Sequence, residues 1–425
     1  MFTCNAFSKA KPFVIAAGML FVFADQLPAQ SPTAGPRFRS DGRDADALGR
    51  KEGYPHCNGA DYFTQERCRV GAFSNFDKLF PARTIAAPRS ASRLNRAAPE
   101  PDIRYSYLGQ HTLDRYLEVH PITGFLIAKG DTILVERYQY GRTDKHLLTS
   151  FSMAKTITAM LLGIAVKEGA IRSISDSTET YVPGLKGTEY GRTPIKALLQ
   201  MSSGVQFREV YTDQNSDIFA LWRATIGQDP GGSIGVLKHF NTRHASPGER
   251  FHYASSETGV LGYILSHATR KTVSEFAREK LWEPLGAEAE AKWSIDATGQ
   301  EITYAYFNAT LRDWARLGLM LANDGSWNGK SIVPKDWVLA ATTVATGEER
   351  LRLVDPRVQL GYGYQTWLLP GGRRAFALRG YRGQWVIVDP GSKLVLVQTA
   401  ARPADDAGAD QELFKLWDSV SAQLR

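Results

Sequence analysis

The sequence predicts an α+β fold, an α/β sandwich in which one antiparallel sheet is built from strands at both ends of the chain. Helices flank that sheet, and a mostly helical region of about 170–345 is inserted between the sheet-forming ends. Two observations lead there. The β-rich runs fall at 124–138 near one end and at 374–378, 384–388 and 394–398 near the other. Between them, from about 150 to 345, the apolar spacing is helical. The 425 residues are 43% apolar and 22% charged, ordinary for a folded chain, which excludes disordered, collagenous and disulfide-dense classes.

The first 29 residues have the order of a secretory signal: Lys9 and Lys11, an apolar run at 12–24, then Leu27, Pro28 and small Ala29. About thirteen apolar residues are too few to cross a bilayer, and no later stretch approaches eighteen, so the mature protein is expected to be periplasmic or secreted with no membrane span. Removing the signal takes Cys4 and leaves Cys57 and Cys68, which an oxidising compartment allows to pair. His56 is the only histidine near them and there is no CxxC, so zinc is not expected, nor is any other metal or cofactor. The net charge is +7, but 51 basic residues are offset by 44 acidic ones and no basic block is interleaved with aromatics, which argues against nucleic acid.

Residues 30–104 are rich in Arg, Pro, Ala and Ser and predict an exposed lead-in wrapped over a main domain at 105–425. The segment 124–138, two β-rich runs parted by Lys129, Gly130 and Asp131, predicts a hairpin. Helical spacing follows at 156–167, 195–201, 273–282 and 310–322. Asp389, Pro390, Gly391 and Ser392 form the turn between the last two strands. The closing segment 410–424 is amphipathic, with Leu413, Leu416, Trp417 and Val420 near one face.

The strongest chemical signal is Ser152-Met153-Ala154-Lys155 at the start of a helix. Ile157, Met160, Leu161, Ile164 and Ala165 set the helical period, and Lys167 and Gly169 end it. Residues three apart share a helix face, so the Lys155 amine can reach the Ser152 hydroxyl. A lysine desolvated in an apolar site can lose its proton near neutral pH and activate such a serine. An N-capping serine followed by a solvated lysine would give the same pattern. Downstream, Tyr253 sits on a loop before a helix beginning near Thr258, where its phenol can relay protons; a packing tyrosine is the alternative. Between Leu378 and Gln384, Gly380 and Gly383 interrupt a strand, as at a bulge or where backbone closely approaches a substrate carbonyl.

Together these elements resemble the serine β-lactamase and penicillin-binding-protein superfamily. The closer likeness is to class C β-lactamase-related serine hydrolases, the 6-aminohexanoate-dimer (nylon-oligomer) hydrolases and family VIII-type esterases. It covers roughly 124–398 and includes Ser150-Phe151-Ser152-Met153-Ala154-Lys155, Met201-Ser202-Ser203-Gly204-Val205, the stretch 308–316 and Gly361-Tyr362-Gly363-Tyr364-Gln365. The resemblance implies Ser152 as nucleophile, Lys155 as its base and Tyr253 as proton relay, with the backbone N–H groups of Ser152 and Tyr381 as oxyanion hole. It implies Tyr211, Ser255, Asn308 and Gly380 on the substrate side.

Two departures stand out. Leu378-Arg379-Gly380 replaces Lys-Thr-Gly, with Arg379 alternating to the face opposite Leu378, and Ser255 replaces the asparagine of Tyr-x-Asn. Both argue against antibiotic hydrolysis. The expected activity is cleavage of a small-molecule or short-peptide amide or ester through an acyl-enzyme. The alternative is a penicillin- or cell-wall-peptide-binding protein that acylates without turnover. Ser233 lies in a G-x-S-x-G string, but Gly227-Gln228-Asp229-Pro230 before it is a loop and not the buried strand a nucleophile elbow needs. The stretch 324–331 ends like a P-loop but lacks its first glycine.

Overall fold

Strand pairing carries the two ends of the chain into one sheet. A computed structural model describes residues 35–425 apart from Ala60 and Asp405. The signal expected at 1–29 lies outside the described residues. The large sheet contains β1 (Arg37–Phe38), β2 (Asn95–Arg96), β3 (Ile122–Lys129), β4 (Thr132–Tyr138), β5 (Gly361–Tyr362), β6 (Trp367–Leu368), β7 (Phe376–Gly380), β8 (Gln384–Asp389) and β9 (Leu394–Ala400). Their spatial order is β1-β4-β3-β9-β8-β7-β6-β5, with β2 also on β4. The seam between chain ends is the antiparallel pair β3–β9, with Phe125 opposite Gln398 and Lys129 opposite Leu394. Only the short β1 and β2 run parallel to their neighbour.

Alternation along the strands divides the core. Five helices matter for the site: α1 (Leu113–Val119), α2 (Ala154–Lys167), α3 (Ser255–Thr269), α4 (Leu311–Ala322) and α5 (Ala407–Gln423). Leu126, Ala128, Val386, Val388, Val395 and Val397 pack in the core that contains α2, α3 and α4. Phe125, Ile127, Trp385, Ile387 and Leu396 pack on the other face with α1 and α5. The helix α2 departs from its expected one-sided pattern, since every residue from Ala154 to Ala165 is buried. Threonines make that possible: Thr156 donates to the Gln365 carbonyl at 2.6 Å and Thr158 to the Thr303 carbonyl at 2.9 Å.

One expectation needs correction. Of the lead-in expected at 30–104, the described residues from 35 on are not an exposed wrap, because Leu48, Tyr62, Val70, Phe76 and Ile85 are buried in the main core. Its elements are mostly two to four residues long, too short to show a period. The inserted region also carries strands: Ala291–Ser294 and Phe307–Ala309 form a four-stranded sheet with Ala82–Ile85 and Leu148–Thr149. Cys57 and Cys68 are bridged, with Cα atoms 5.6 Å apart. Among the described residues no helix is long and apolar enough to cross a membrane.

The burial of the N-terminal segment can be measured directly. Phe76 stacks on Tyr306 at 4.3 Å between ring centroids. Phe76→Ala is expected to destabilise the protein by about 3–5 kcal/mol in urea unfolding, against less than about 0.5 kcal/mol for a residue of an exposed lead-in.

Candidate active site

Ser152 lies where a short 3₁₀ turn, Phe151–Met153, runs into α2. Phe151 has φ of 41°, in the left-handed region that non-glycine residues rarely adopt. Ser150 holds that bend. Its N–H donates to the Phe307 carbonyl at 2.9 Å, its Oγ accepts from the Phe307 N–H at 2.9 Å, and the same hydroxyl donates to the Phe151 carbonyl at 2.7 Å.

One helical turn on, Lys155 is 1% exposed. Its Nζ donates to Ser152 Oγ at 2.9 Å, to Ser255 Oγ at 3.0 Å and to the Tyr304 carbonyl at 2.9 Å. The Tyr253 ring lies beside the amine, its centroid 5.0 Å from Nζ, and stacks on Trp367. Burial pulls the Lys155 pKa from 10.5 to about 8, against the nearby negative charge of Glu209. Glu209 in turn accepts from the Ser255 N–H at 2.6 Å, from the Ser255 hydroxyl at 2.8 Å and from the Tyr211 hydroxyl. Ser255 opens α3, so the same carboxylate caps that helix.

Ser152, Lys155, Tyr253, Ser255 and Tyr211 are therefore brought together as expected. The sequence reading missed Glu209 and the Tyr304 carbonyl. A carboxylate two residues from Tyr211 was the available signal for the first; a main-chain carbonyl leaves none.

Gly380 ends β7 against the turn that carries Ser152, where an added Cβ would lie 2.1 Å from the Ser150 carbonyl oxygen. The expected close approach exists, and its partner is the protein's own backbone. Gly383 lies outside the strand: Gly380 pairs with Gln384, and Gly383, with φ of 90°, closes the turn between them. Tyr381, in that turn, lines the same cleft as Ser152 and Gly380. Leu378 packs into the core and presents nothing to a ligand. Arg379, on the opposite face, lines the cleft but is paired with Asp355 and Asp410, each at 3.0 Å. Arg382 donates to the carbonyls of Phe63, Arg402 and Pro403.

Asn308 is a correction. Its amide donates to the carbonyls of Lys292 and Tyr306 inside the small sheet, and it lines neither cleft beside Ser152. Register explains it, since Asn308 is the middle residue of its strand with pairing partners on both sides. Ser233 is buried and bonded to Asp296 and Tyr263, with no histidine among these partners. Among the described residues no group of three His, Cys, Asp or Glu side chains is placed to hold a metal.

The sequence profile of the family described as Beta-lactamase matches residues 114–416. The chain belongs to the beta-lactamase family. The 6-aminohexanoate-dimer hydrolase of Paenarthrobacter ureafaciens is 29% identical over 350 residues, covering 79% of this chain and 86% of its own. A Bacillus anthracis protein assigned as a 6-aminohexanoate-dimer hydrolase superposes with a TM-score of 0.75 at 24% identity, over 84% of this chain and 95% of its own. A family VIII carboxylesterase gives 0.54 at 16% identity, over 71% and 93%. This beta-lactamase family member is thus a hydrolase by relationship, with the α+β fold its sequence predicts.

Glu209 opposes the effect of burial on Lys155, so Glu209→Gln is expected to move the Lys155 pKa further below about 8. The pH dependence of covalent labelling by a fluorophosphonate reports that shift, and a rise in the apparent pKa would show that the carboxylate does not act through its charge.

Proposed function

We propose that the protein is an exported serine hydrolase that cleaves an amide or ester bond through an acyl-enzyme on Ser152, with Lys155 as base and Tyr253 as proton relay. One observation carries this reading: the direction of the hydrogen bonds around Lys155. The Tyr304 carbonyl can only accept, and the Ser255 hydroxyl spends its proton on Glu209. Once Lys155 is neutral it keeps two donors, which these two acceptors take. Its lone pair is left for the third partner, the Ser152 hydroxyl at 2.9 Å. With a pKa of about 8, roughly a tenth of the lysines are neutral at pH 7, a few hundredfold more than at the ordinary value.

Ser152 Oγ attacks the carbonyl carbon as its proton passes to Lys155 Nζ. The oxyanion is held by the backbone N–H groups of Ser152 and Tyr381, about 3 kcal/mol per donor in comparable sites. The bond to the leaving group breaks as Tyr253 hands it a proton and is reprotonated from Lys155. Water then attacks the acyl group, losing its proton along the same path, and Ser152 is released. The likeness to 6-aminohexanoate-dimer hydrolase supports amide cleavage. The signal-like order of residues 1–29 and the Cys57–Cys68 bridge support export to an oxidising compartment.

A fluorophosphonate is expected to add its mass to the peptide containing Ser152. Ser152→Ala and Lys155→Arg are expected to be almost inactive, because guanidinium does not act as a base. Activity surviving in Ser152→Ala, or a single stoichiometric burst in place of steady turnover, would sink the proposal.

β-Lactams are expected to be poor substrates. Leu378 is in the core, and the arginines lining the cleft, Arg357 and Arg379, both pair with Asp355. A missing charge-assisted hydrogen bond to the β-lactam carboxylate corresponds to about 1.5–3 kcal/mol. Thus kcat/KM for nitrocefin should fall at least about tenfold below that for p-nitrophenyl butyrate; a preference for nitrocefin would show a carboxylate site in this cleft.

A further inference from the structure

Two cavities meet at Ser152, Tyr211 and Tyr381. The first, of about 460 Å³, is aromatic: half of its lining residues carry aromatic rings, among them Phe63, Phe219, Trp222 and Tyr306, and its one charged lining residue is the exposed Arg223. The second, of about 390 Å³, is the more polar of the two: Phe251, Tyr253 and Trp367 line it together with the charged Glu209, Asp355, Arg357 and Arg379. Tyr253 lines the second and not the first.

That asymmetry assigns the two sides of the scissile bond. A group that protonates the departing atom must stand on the leaving-group side. The leaving group therefore lies in the polar cleft beside Tyr253, and the acyl group turns into the aromatic cavity.

One wall of the aromatic cavity comes from outside the family-matched region, which begins at residue 114. Phe63 and Thr64 line it, and both lie within the loop closed by the Cys57–Cys68 bridge. The Phe63 ring is stacked on Tyr381 at 5.9 Å and meets Phe219 edge-on at 6.1 Å. The Phe63 carbonyl accepts from Arg382 at 3.0 Å, and the guanidinium lies 5.1 Å from the centroids of both Phe63 and Tyr381. Beside it, the Tyr62 hydroxyl accepts from Trp222 Nε1 at 3.0 Å and lies 3.1 Å from the Tyr306 hydroxyl. The loop is docked on the turn that follows β7, with its rings edging the space next to Ser152.

We infer that this disulfide-closed N-terminal loop is a specificity element: it walls an acyl pocket that selects flat, apolar acyl groups, so that arylalkanoyl esters or amides are the favoured substrates. The inference rests on the Ser152 acyl-enzyme reading. Small acyl groups leave the pocket unfilled, whereas a phenyl ring removed from water there should raise kcat/KM by about ten- to a hundredfold.

The test uses the native protein with p-nitrophenyl acetate, phenylacetate and 4-phenylbutyrate, so that the leaving group is constant, each rate being divided by the ester's alkaline hydrolysis rate. The phenylalkanoyl esters should exceed acetate by at least about tenfold in kcat/KM. Phe63→Ala should lower that ratio about tenfold, and the Cys57→Ser, Cys68→Ser double variant should lower it in the same direction. Acetate preferred by the native protein, or a ratio unmoved in these variants, would overturn the inference. Fluorophosphonate labelling of Ser152, run on the same samples, separates the two failures: a labelled Ser152 with no acyl preference rejects only the pocket, while an unlabelled Ser152 in an active protein rejects the acyl-enzyme reading itself. Should Phe63→Ala fail to fold, the native ratio and Phe219→Ala on the adjoining wall decide the question.

Discussion

The burial of the Lys155 amine is the constraint on which the rest of the structure depends. An ammonium in a dry site is unfavourable unless each of its donors has an acceptor, and here all three do: Ser152 Oγ, Ser255 Oγ and the Tyr304 carbonyl. Those acceptors come from separate parts of the chain, so the fold must bring the head of α2, the head of α3 and the segment between the small-sheet strands Ala291–Ser294 and Phe307–Ala309 within one hydrogen bond of a single atom. The helix α2 that carries Lys155 is itself buried on every side from Ala154 to Ala165. Thr156 and Thr158 tie that helix to neighbouring carbonyls where an exposed face would otherwise have met water.

The sheet supplies the opposite wall, and its edge must come very close. Gly380 stands against the Ser150 carbonyl where any side chain would collide. The Phe151 bend, held by Ser150 and Phe307, fixes the other partner of that contact. The Ser152 turn and the strand end are thus positioned by backbone contacts, which shift less than side chains do. Oxyanion stabilisation depends on that property, because donors placed before reaction need no reorganisation.

Much of this was legible in the sequence. The SxxK spacing, the helix after it and the strands at both chain ends are local patterns, and the structure reproduces them. Position along a helix or strand specifies which residues share a face, so the proximity of Ser152 and Lys155 could be read directly. What could not be read depends on contacts far apart in sequence. Asn308 sits within a plausible pocket motif, yet strand register turns its amide onto Lys292 and Tyr306. Glu209 lies on a loop with no period, and its partner Ser255 is 46 residues away. The N-terminal segment hid its burial because its helices and strands are a few residues long, and Tyr62 and Phe76 reach the core through distant partners, Trp222 and Tyr306.

Glu209 shows why a buried lysine alone would be an incomplete device. Desolvation by itself drives a lysine toward neutrality, and the further its pKa falls the weaker a base it becomes. A base is most effective when its pKa lies near the working pH, where a useful fraction is deprotonated and the proton is still held firmly. The Glu209 charge offsets part of the desolvation and leaves Lys155 at about 8. The same carboxylate accepts a hydrogen bond from the Ser255 hydroxyl, which leaves that oxygen to accept from Lys155. One side chain therefore sets both the pKa of Lys155 and the direction of a hydrogen bond to it. An asparagine in place of Ser255 could offer Lys155 an oxygen without needing Glu209. With serine at that position the direction of the bond is undecided until a carboxylate fixes it, and the substitution and the carboxylate make physical sense only together.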